Sequence, residues 1–481
     1  MSLAQRSVAS IGWNAGSNLA KVVILLARSI LLARLLPVEV FGTYALATSI
    51  VTASGILPLW GLGGAFLHRT TETADEEQAA AVLFTLRVIL LTGWALIVVG
   101  ASYWLSSGPL RLALVVLTLS FAGLHLSDAP RFILTRRVVH RRLALLDLLA
   151  AIITTIVAVY LAWQGFGLVA LLATDIATTL LTGLFLFVWR PVWRPRFLWL
   201  HDTIRYYLRF GSQTMTESAL SEAIDNFDDI WVGAYLGNNA LGLYSRAYTF
   251  ATYPRRFLAF PVNLVAGGTY AELKGARHQL SQAFFRTNAV LVRSGFLFGG
   301  LLVLIAPEFV HLALGDKWLP MIPVFRLMAI FTLLDPIRIT VSQLFIAVGQ
   351  PKRIVHVRVI QLAALVIGLY LLGRTWGIIG VALAINGVLL LGLVPLMYSA
   401  RDYIDFSAWR LFIGPTVALI TGVAAALAIT WALCRGTGCP NDWIVGTAKA
   451  LAFTLSFGGV LMAIERRDLA LMIAKARRSL R

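Results

Sequence analysis

The sequence predicts an all-α polytopic membrane protein of about fourteen transmembrane helices, arranged as two pseudo-symmetric six-helix lobes followed by two further helices. Three observations predict it. First, 59% of the 481 residues are apolar and only 13% are charged, and the mean hydropathy is +0.80. A soluble domain has about 45–50% apolar and about 25% charged residues, so a soluble enzyme is excluded. Second, apolar runs of the roughly 20 residues that cross a bilayer recur almost end to end. Third, a short motif returns after 200 residues.

The runs lie near 8–33, 40–67, 79–104, 110–130, 143–163, 166–188, 211–236, 240–269, 287–306, 319–348, 355–373, 376–399, 411–433 and 443–464. They are continuous rather than ten-residue alternations, which excludes a spanning β-barrel. The first run has no cleavage site after a short apolar core, so it reads as a span and not a signal peptide.

The connections alternate in charge. One set carries 26 Lys and Arg, including Arg131, Arg136, Arg137, Arg141 and Arg142, then Arg190, Arg194, Arg196, Arg205 and Arg209, and the tail from Arg466. The other set carries five: Arg34, Arg111, Lys317, Arg374 and Arg435. The positive-inside rule puts the rich set, and with it both termini, on the cytoplasmic side of the membrane. The net charge of +18 then marks orientation and headgroup contact, not nucleic acid. Cys434 and Cys439 fall in the last outer loop, where a disulfide and two free thiols are both open.

The repeat compares Ala33-Arg34-Leu35-Leu36-Pro37-Val38-Glu39-Val40-Phe41-Gly42-Thr43-Tyr44-Ala45-Leu46-Ala47 with the segment 233–247. Leu36/Leu236, Gly42/Gly242, Tyr44/Tyr244 and Ala47/Ala247 coincide without gaps, each set in a hairpin after an odd-numbered span. An offset of six spans in one orientation implies parallel lobes, a transporter signature with the substrate site at the repeat interface. The expected organisation is an N-terminal lobe 1–188, a cytoplasmic linker 189–210, a C-terminal lobe 211–399, two added helices within 400–464 and a basic tail 465–481. The linker interleaves Trp189, Trp193, Trp199 and Tyr206 with arginines, as a segment lying on a membrane surface does.

Charges inside spans cost at least ~2.5–3.5 kcal/mol each on insertion scales and mark functional sites. Span one has Lys21 and Arg28, two turns apart and so on one face. Span eight has Arg246, Arg255 and Arg256, span nine Arg293, and span ten Asp335 and Arg338. Span six has Asp175. Span seven has Glu217, Glu222, Asp225, Asp228 and Asp229, which share an arc of about 140°. Such a stripe either lines a polar cavity, where it could take a coupling cation or proton, or neutralises arginines of neighbouring helices. Asp335 and Arg338 can pair within their own helix. No phosphate-binding loop, His-Glu-x-x-His or Gly-x-Ser-x-Gly is present, and no catalytic residue, metal site or cofactor is expected.

The stretch 33–44 resembles the hairpin signature of bacterial polysaccharide flippases, members of the multidrug/oligosaccharidyl-lipid/polysaccharide exporter superfamily. Ile224-Asp225-Asn226-Phe227-Asp228-Asp229 and Leu241-Gly242-Leu243-Tyr244-Ser245-Arg246-Ala247 are similar to that family's span-seven and span-eight pattern, and Pro254, Pro261 and Gly349-Gln350-Pro351 also fit. Pro37-Val38-Glu39-Val40 departs from the usual Gly-Pro-Glu-x, which touches only local turn geometry. The resemblance implies alternating access and an undecaprenyl-pyrophosphate oligosaccharide, moved to the periplasmic leaflet for surface polysaccharide or lipopolysaccharide synthesis. It also implies association with membrane lipids and with the polymerase and chain-length machinery. Guanidinium and ammonium groups suit the pyrophosphate, which makes Lys21, Arg28, Arg246, Arg255, Arg256 and Arg293 its candidate partners. Two rivals share the superfamily. A multidrug cation antiporter fits the acids of span seven but not Lys21 and Arg28, and a peptidoglycan-precursor flippase fits both. A membrane polymerase or ligase would need a larger outer loop than the dozen residues near 307–318.

Overall fold

The computed structural model describes residues 3–69, 75–137, 139–435 and 441–465. At 3–15, 140, 213, 214, 217, 257, 258, 260, 261 and 264 only the backbone is described. Helix follows helix, and no strand occurs among the described residues.

The helical pieces match the expected spans in order. α1 (Leu3–Leu35) is the first. The second is broken into α2 (Val38–Leu59) and α3 (Leu62–His68). Pro58 removes a backbone donor there, and Trp60 and Gly61 take left-handed φ values of 42° and 61° that end the helix. α4 (Glu76–Leu105) is unbroken, whereas α5 (Gly108–Leu126) and α6 (Asp128–Arg136) meet at Ser127. α7 (His140–Trp163) is the fifth span, and α8 (Leu168–Gly183) is prolonged by a π-helical turn, Leu184–Val188. α9 (His201–Tyr235) and α10 (Gly237–Glu272) follow. α11 (Arg277–Phe309), α12 (Ile322–Ala347), α13 (Pro351–Gly368) and α14 (Arg374–Ala400) come next. α15 (Ala408–Cys434) and α16 (Asp442–Ile464) complete the set. Cys434 is in a disulfide, and Cys439 lies outside the described residues.

Among the described residues, nine helical segments are long and apolar enough to cross a bilayer by length and composition. The chain is a multi-pass membrane protein. α1, α9, α10 and α12 are not in that set, and they hold Lys21, Arg28, the acids of span seven, the arginines of span eight, and Asp335 with Arg338. Their lengths of 33, 35, 36 and 26 residues exceed what a crossing needs at 1.5 Å per residue.

The helix of span seven begins ten residues before the expected 211, at His201. Arg205 and Arg209 look like loop residues in the sequence, but the helix is anchored between them. Tyr207 is fully buried and its hydroxyl donates to the Ala79 carbonyl at 3.0 Å. The preceding stretch 189–200 is not helical. It buries Trp193 against α4, and the Leu198 amide donates to Thr85 Oγ1 at 2.9 Å. Trp189 and Trp199 remain half exposed.

The described chain divides into two compact units. One runs to Ser245 and takes in Leu365–Leu369; the other comprises Arg246–Ala364 and the residues from Tyr370 onward. Within the first unit the two copies of the repeated hairpin dock on each other, backbone to backbone. A Cβ on Gly42 would lie 1.7 Å from the Asn238 carbonyl oxygen, and one on Gly242 would lie 2.2 Å from the Val38 carbonyl oxygen. Asn238 Nδ2 donates to Thr43 Oγ1 at 3.0 Å beside this crossing. With the repeat offset of 200, position 38 matches 238 and 42 matches 242. Each copy therefore makes the same contact on the other, the reciprocity of a two-fold interface.

In the second unit, α16 and the residue that follows it are fastened to α11 by charge. Arg293 Nε and Nη2 meet Glu465 Oε2 and Oε1 at 2.6 and 2.8 Å, and Lys449 Nζ meets Glu308 Oε1 at 2.5 Å. Phe284, Phe345, Phe453 and Phe457 are among the aromatic residues of the apolar core in this unit.

The docked hairpins leave no room for a methyl group. Gly42→Ala and Gly242→Ala should each destabilise the folded protein by at least about 1–3 kcal/mol. Gly100→Ala, at a helical position with nothing within 4 Å, should leave stability unchanged or slightly raised. Thermal unfolding of the three variants in detergent, followed by tryptophan fluorescence, checks this.

Candidate functional site

In the first unit, α1 and α7 run side by side in register. Lys21 Nζ lies 3.3 Å from Asp147 Oδ2, and seven residues on Arg28 Nη1 donates to Thr154 Oγ1 at 3.3 Å. Both rungs join residues 126 apart, so the helices run parallel with a seven-residue contact period. The lower rung is shared, since Arg131 Nη2 reaches Asp147 Oδ1 at 2.8 Å. At the upper rung the charge of Arg28 is felt by Asp175 on α8. The carboxylate of Asp175 accepts from the Tyr44 hydroxyl at 2.8 Å. A guanidinium has five N–H donors, and among the described residues Arg28 gives one of them to a hydroxyl.

The acids of α9 are met by hydroxyl and amide groups. Asp228 is buried and accepts from the Tyr244 hydroxyl. Its other oxygen is buried with no hydrogen-bond partner among the described residues. Asp229 accepts from Ser49 at 2.9 Å. Glu222 accepts from Asn226 Nδ2 at 2.7 Å, and Asn226 Oδ1 in turn accepts from Thr52 at 2.8 Å. Asp225 is exposed. The side chain of Glu217 lies outside the described residues. The partners of Asp228 and Glu222 are thus a phenol and an amide, not guanidinium groups. The two tyrosines of the repeat, Tyr44 and Tyr244, each hold an aspartate, one on α8 and one on α9.

In the second unit, Asp335 is fully buried on α12 and accepts from Arg255 of α10 and from Arg338, whose Nη2 lies at 2.7 Å. One carboxylate thus faces two guanidinium groups at this point of the helix bundle. The neighbouring Arg256 is exposed, with its guanidinium 5.3 Å from the Tyr253 ring centre. Arg246 is half buried at the start of this unit. Arg293 is clasped by Glu465, so its charge is neutralised where α16 meets α11.

Several partners were not visible in the sequence. Asp147 lies near the end of its span and reads as a surface residue. Thr154, Ser49 and Thr52 read as filler among apolar neighbours. The available signal was spacing: Asp147 and Thr154 repeat the seven-residue interval of Lys21 and Arg28. Removing the buried carboxylate by Asp335→Asn leaves two partly buried guanidinium groups facing one amide. This should cost about 3–5 kcal/mol, the penalty for breaking a buried pair from one side. Arg255→Ala should cost less, because Arg338 still meets the carboxylate. Melting temperatures of the purified variants order the two effects.

Comparison with known proteins bears on this arrangement. The lipopolysaccharide biosynthesis protein WzxC of Escherichia coli K12 is 23% identical over 401 residues, covering 80% of this chain and 78% of that protein. The succinoglycan biosynthesis transport protein ExoT of Rhizobium meliloti 1021 is 26% identical over 331 residues, covering 67% of this chain and 65% of that one. Among solved structures, the lipid II flippase MurJ in an inward closed conformation superposes with a TM-score of 0.76 at 14% identity, covering 96% of this chain and 100% of MurJ. An inward-facing multidrug resistance transporter of the MATE family superposes with a TM-score of 0.61 at 17% identity, covering 81% of this chain and 98% of that one. Identities this low establish a shared fold. The polysaccharide biosynthesis protein family matches residues 31–323, more than half of the chain and the whole stretch from the first hairpin to the start of α12. The chain therefore belongs to the polysaccharide biosynthesis protein family.

Proposed function

We propose that this protein is a flippase, not an enzyme. It carries an undecaprenyl-pyrophosphate-linked oligosaccharide from the cytoplasmic to the periplasmic leaflet of the bacterial inner membrane by alternating access. Family membership and relatives named for lipopolysaccharide and succinoglycan synthesis support the polysaccharide side of this reading. The observation that carries the mechanism is Arg28. It is a half-buried guanidinium inside a span, anchored by one hydroxyl and with donors left for an anion. A pyrophosphate leaving water for the bilayer must exchange its hydration for such donors. Lys21, Arg246, Arg255 and Arg256 are the further cations proposed for the path, and Arg293 is assigned to holding α16.

The acids fit a coupling role. Asp228 keeps an unpartnered oxygen beside Tyr244 and feels the charges of Asp229 and Asp225. A proton or monovalent cation taken up there would relieve this repulsion, so the acids of α9 and Asp175 are proposed to sense the coupling ion. The basic connections support a reading with both termini in the cytoplasm. Downstream polymerase and chain-length proteins would draw the flipped product onward.

Deleting the gene should stop surface polysaccharide and leave lipid-linked repeat units on the cytoplasmic side; normal polymer without that build-up sinks the reading. In the complemented strain, Arg28→Ala should abolish export at normal protein level, and Arg28→Lys should restore part of it. Full export by Arg28→Ala removes this residue from the path.

A further inference from the structure

A further pair of guanidinium groups lies at one end of the α7–α8 pair. The two spans leave between them an apolar groove of about 370 Å³, whose walls include Leu149 and Ile153 of α7 and Leu184, Phe185 and Val188 of the π-helical turn. Val188 is 68% exposed and Leu184 57%. In a bilayer such a groove is filled by hydrocarbon. Trp189 closes its end, and two guanidinium groups sit at that rim.

Arg142 Nη2 donates to the carbonyl oxygens of Phe185, Trp189 and Arg190 at 3.2, 2.8 and 2.6 Å. These bonds hold the last turn of the span in place, with the guanidinium 5.4 Å from the Phe185 ring centre. Arg142 Nε is buried and has no partner among the described residues. Arg190, with a left-handed φ of 54°, lies against Trp189 at 5.7 Å and close enough for its charge to be felt by Arg142. Among the described residues no carboxylate is paired with either. Two adjacent unneutralised cations are unfavourable unless an anion joins them. A hydrocarbon groove ending at an anion receptor, with an aromatic ring at headgroup level, describes a lipid.

We propose that the α7–α8 groove binds an acidic phospholipid, one acyl chain between Leu149 and Leu184 and the headgroup phosphate on Arg142 and Arg190. The substrate's own prenyl-phosphate group shares this chemistry, and competition separates the two sources. The test is native mass spectrometry of the full-length protein in detergent, titrated with phosphatidylglycerol or phosphatidylcholine. The wild type should retain phosphatidylglycerol preferentially. Arg190→Gln, whose side chain makes no protein hydrogen bond among the described residues, should weaken it roughly fivefold. Leu184→Trp should fill the groove and reduce binding of both lipids without a change of charge. Equal affinity for the two lipids, or full phosphatidylglycerol binding by both variants, overturns the proposal. Displacement of phosphatidylglycerol by equimolar undecaprenyl phosphate also overturns it, by assigning the groove to substrate.

Discussion

A charge taken into hydrocarbon has to be met there, and this constraint accounts for more of the structure than any apolar contact. Arg293 finds Glu465, Lys449 finds Glu308, Lys21 finds Asp147, and Arg255 with Arg338 finds Asp335. Leucine against leucine supplies little net attraction between helices when the solvent is itself apolar. The ion pairs add specific contacts between α1 and α7, between α10 and α12, and between α11 and α16. At Arg28, Asp228 and Asp229 a charge also meets a hydroxyl group.

The division between legible and hidden features follows from the same physics. Long apolar runs announced the spans, and span order survived even where Pro58, Ser127 and Gly377 break or kink a helix. Intramembrane charges were legible because they violate the apolar pattern. Their partners were not, because pairing depends on which helix lies alongside. Asp147 sits near a span end, and Ser49, Thr52 and Thr154 resemble filler in any apolar helix. The start of α9 was missed for the opposite reason. Arg205 and Arg209 made the stretch read as a surface segment, yet Tyr207 between them is wholly buried.

The two copies of the repeat differ in the charge that precedes them. The offset that matches Gly42 to Gly242 also matches Arg28 to Asp228. One copy presents a guanidinium, and the other a carboxylate, at equivalent turns of equivalent helices. Tyr44 and Tyr244 are retained in both copies and each grips an aspartate. A symmetric precursor could bind an anion or a cation with both halves. The present form holds one group of each sign at these positions.

The docked hairpins have a consequence for how the chain is made. The Gly42 backbone rests against Asn238, so the surface formed by the first hairpin stays open until a segment 200 residues further on has emerged from the ribosome. At about 5–20 residues per second this wait is about 10–40 s. During it, a backbone carbonyl destined for van der Waals contact faces lipid or the insertion machinery. The first unit is thus not a self-sufficient early product of synthesis. It is completed by the opening of α10, and truncations that stop short of Ser245 should yield a bundle with an unfinished seam.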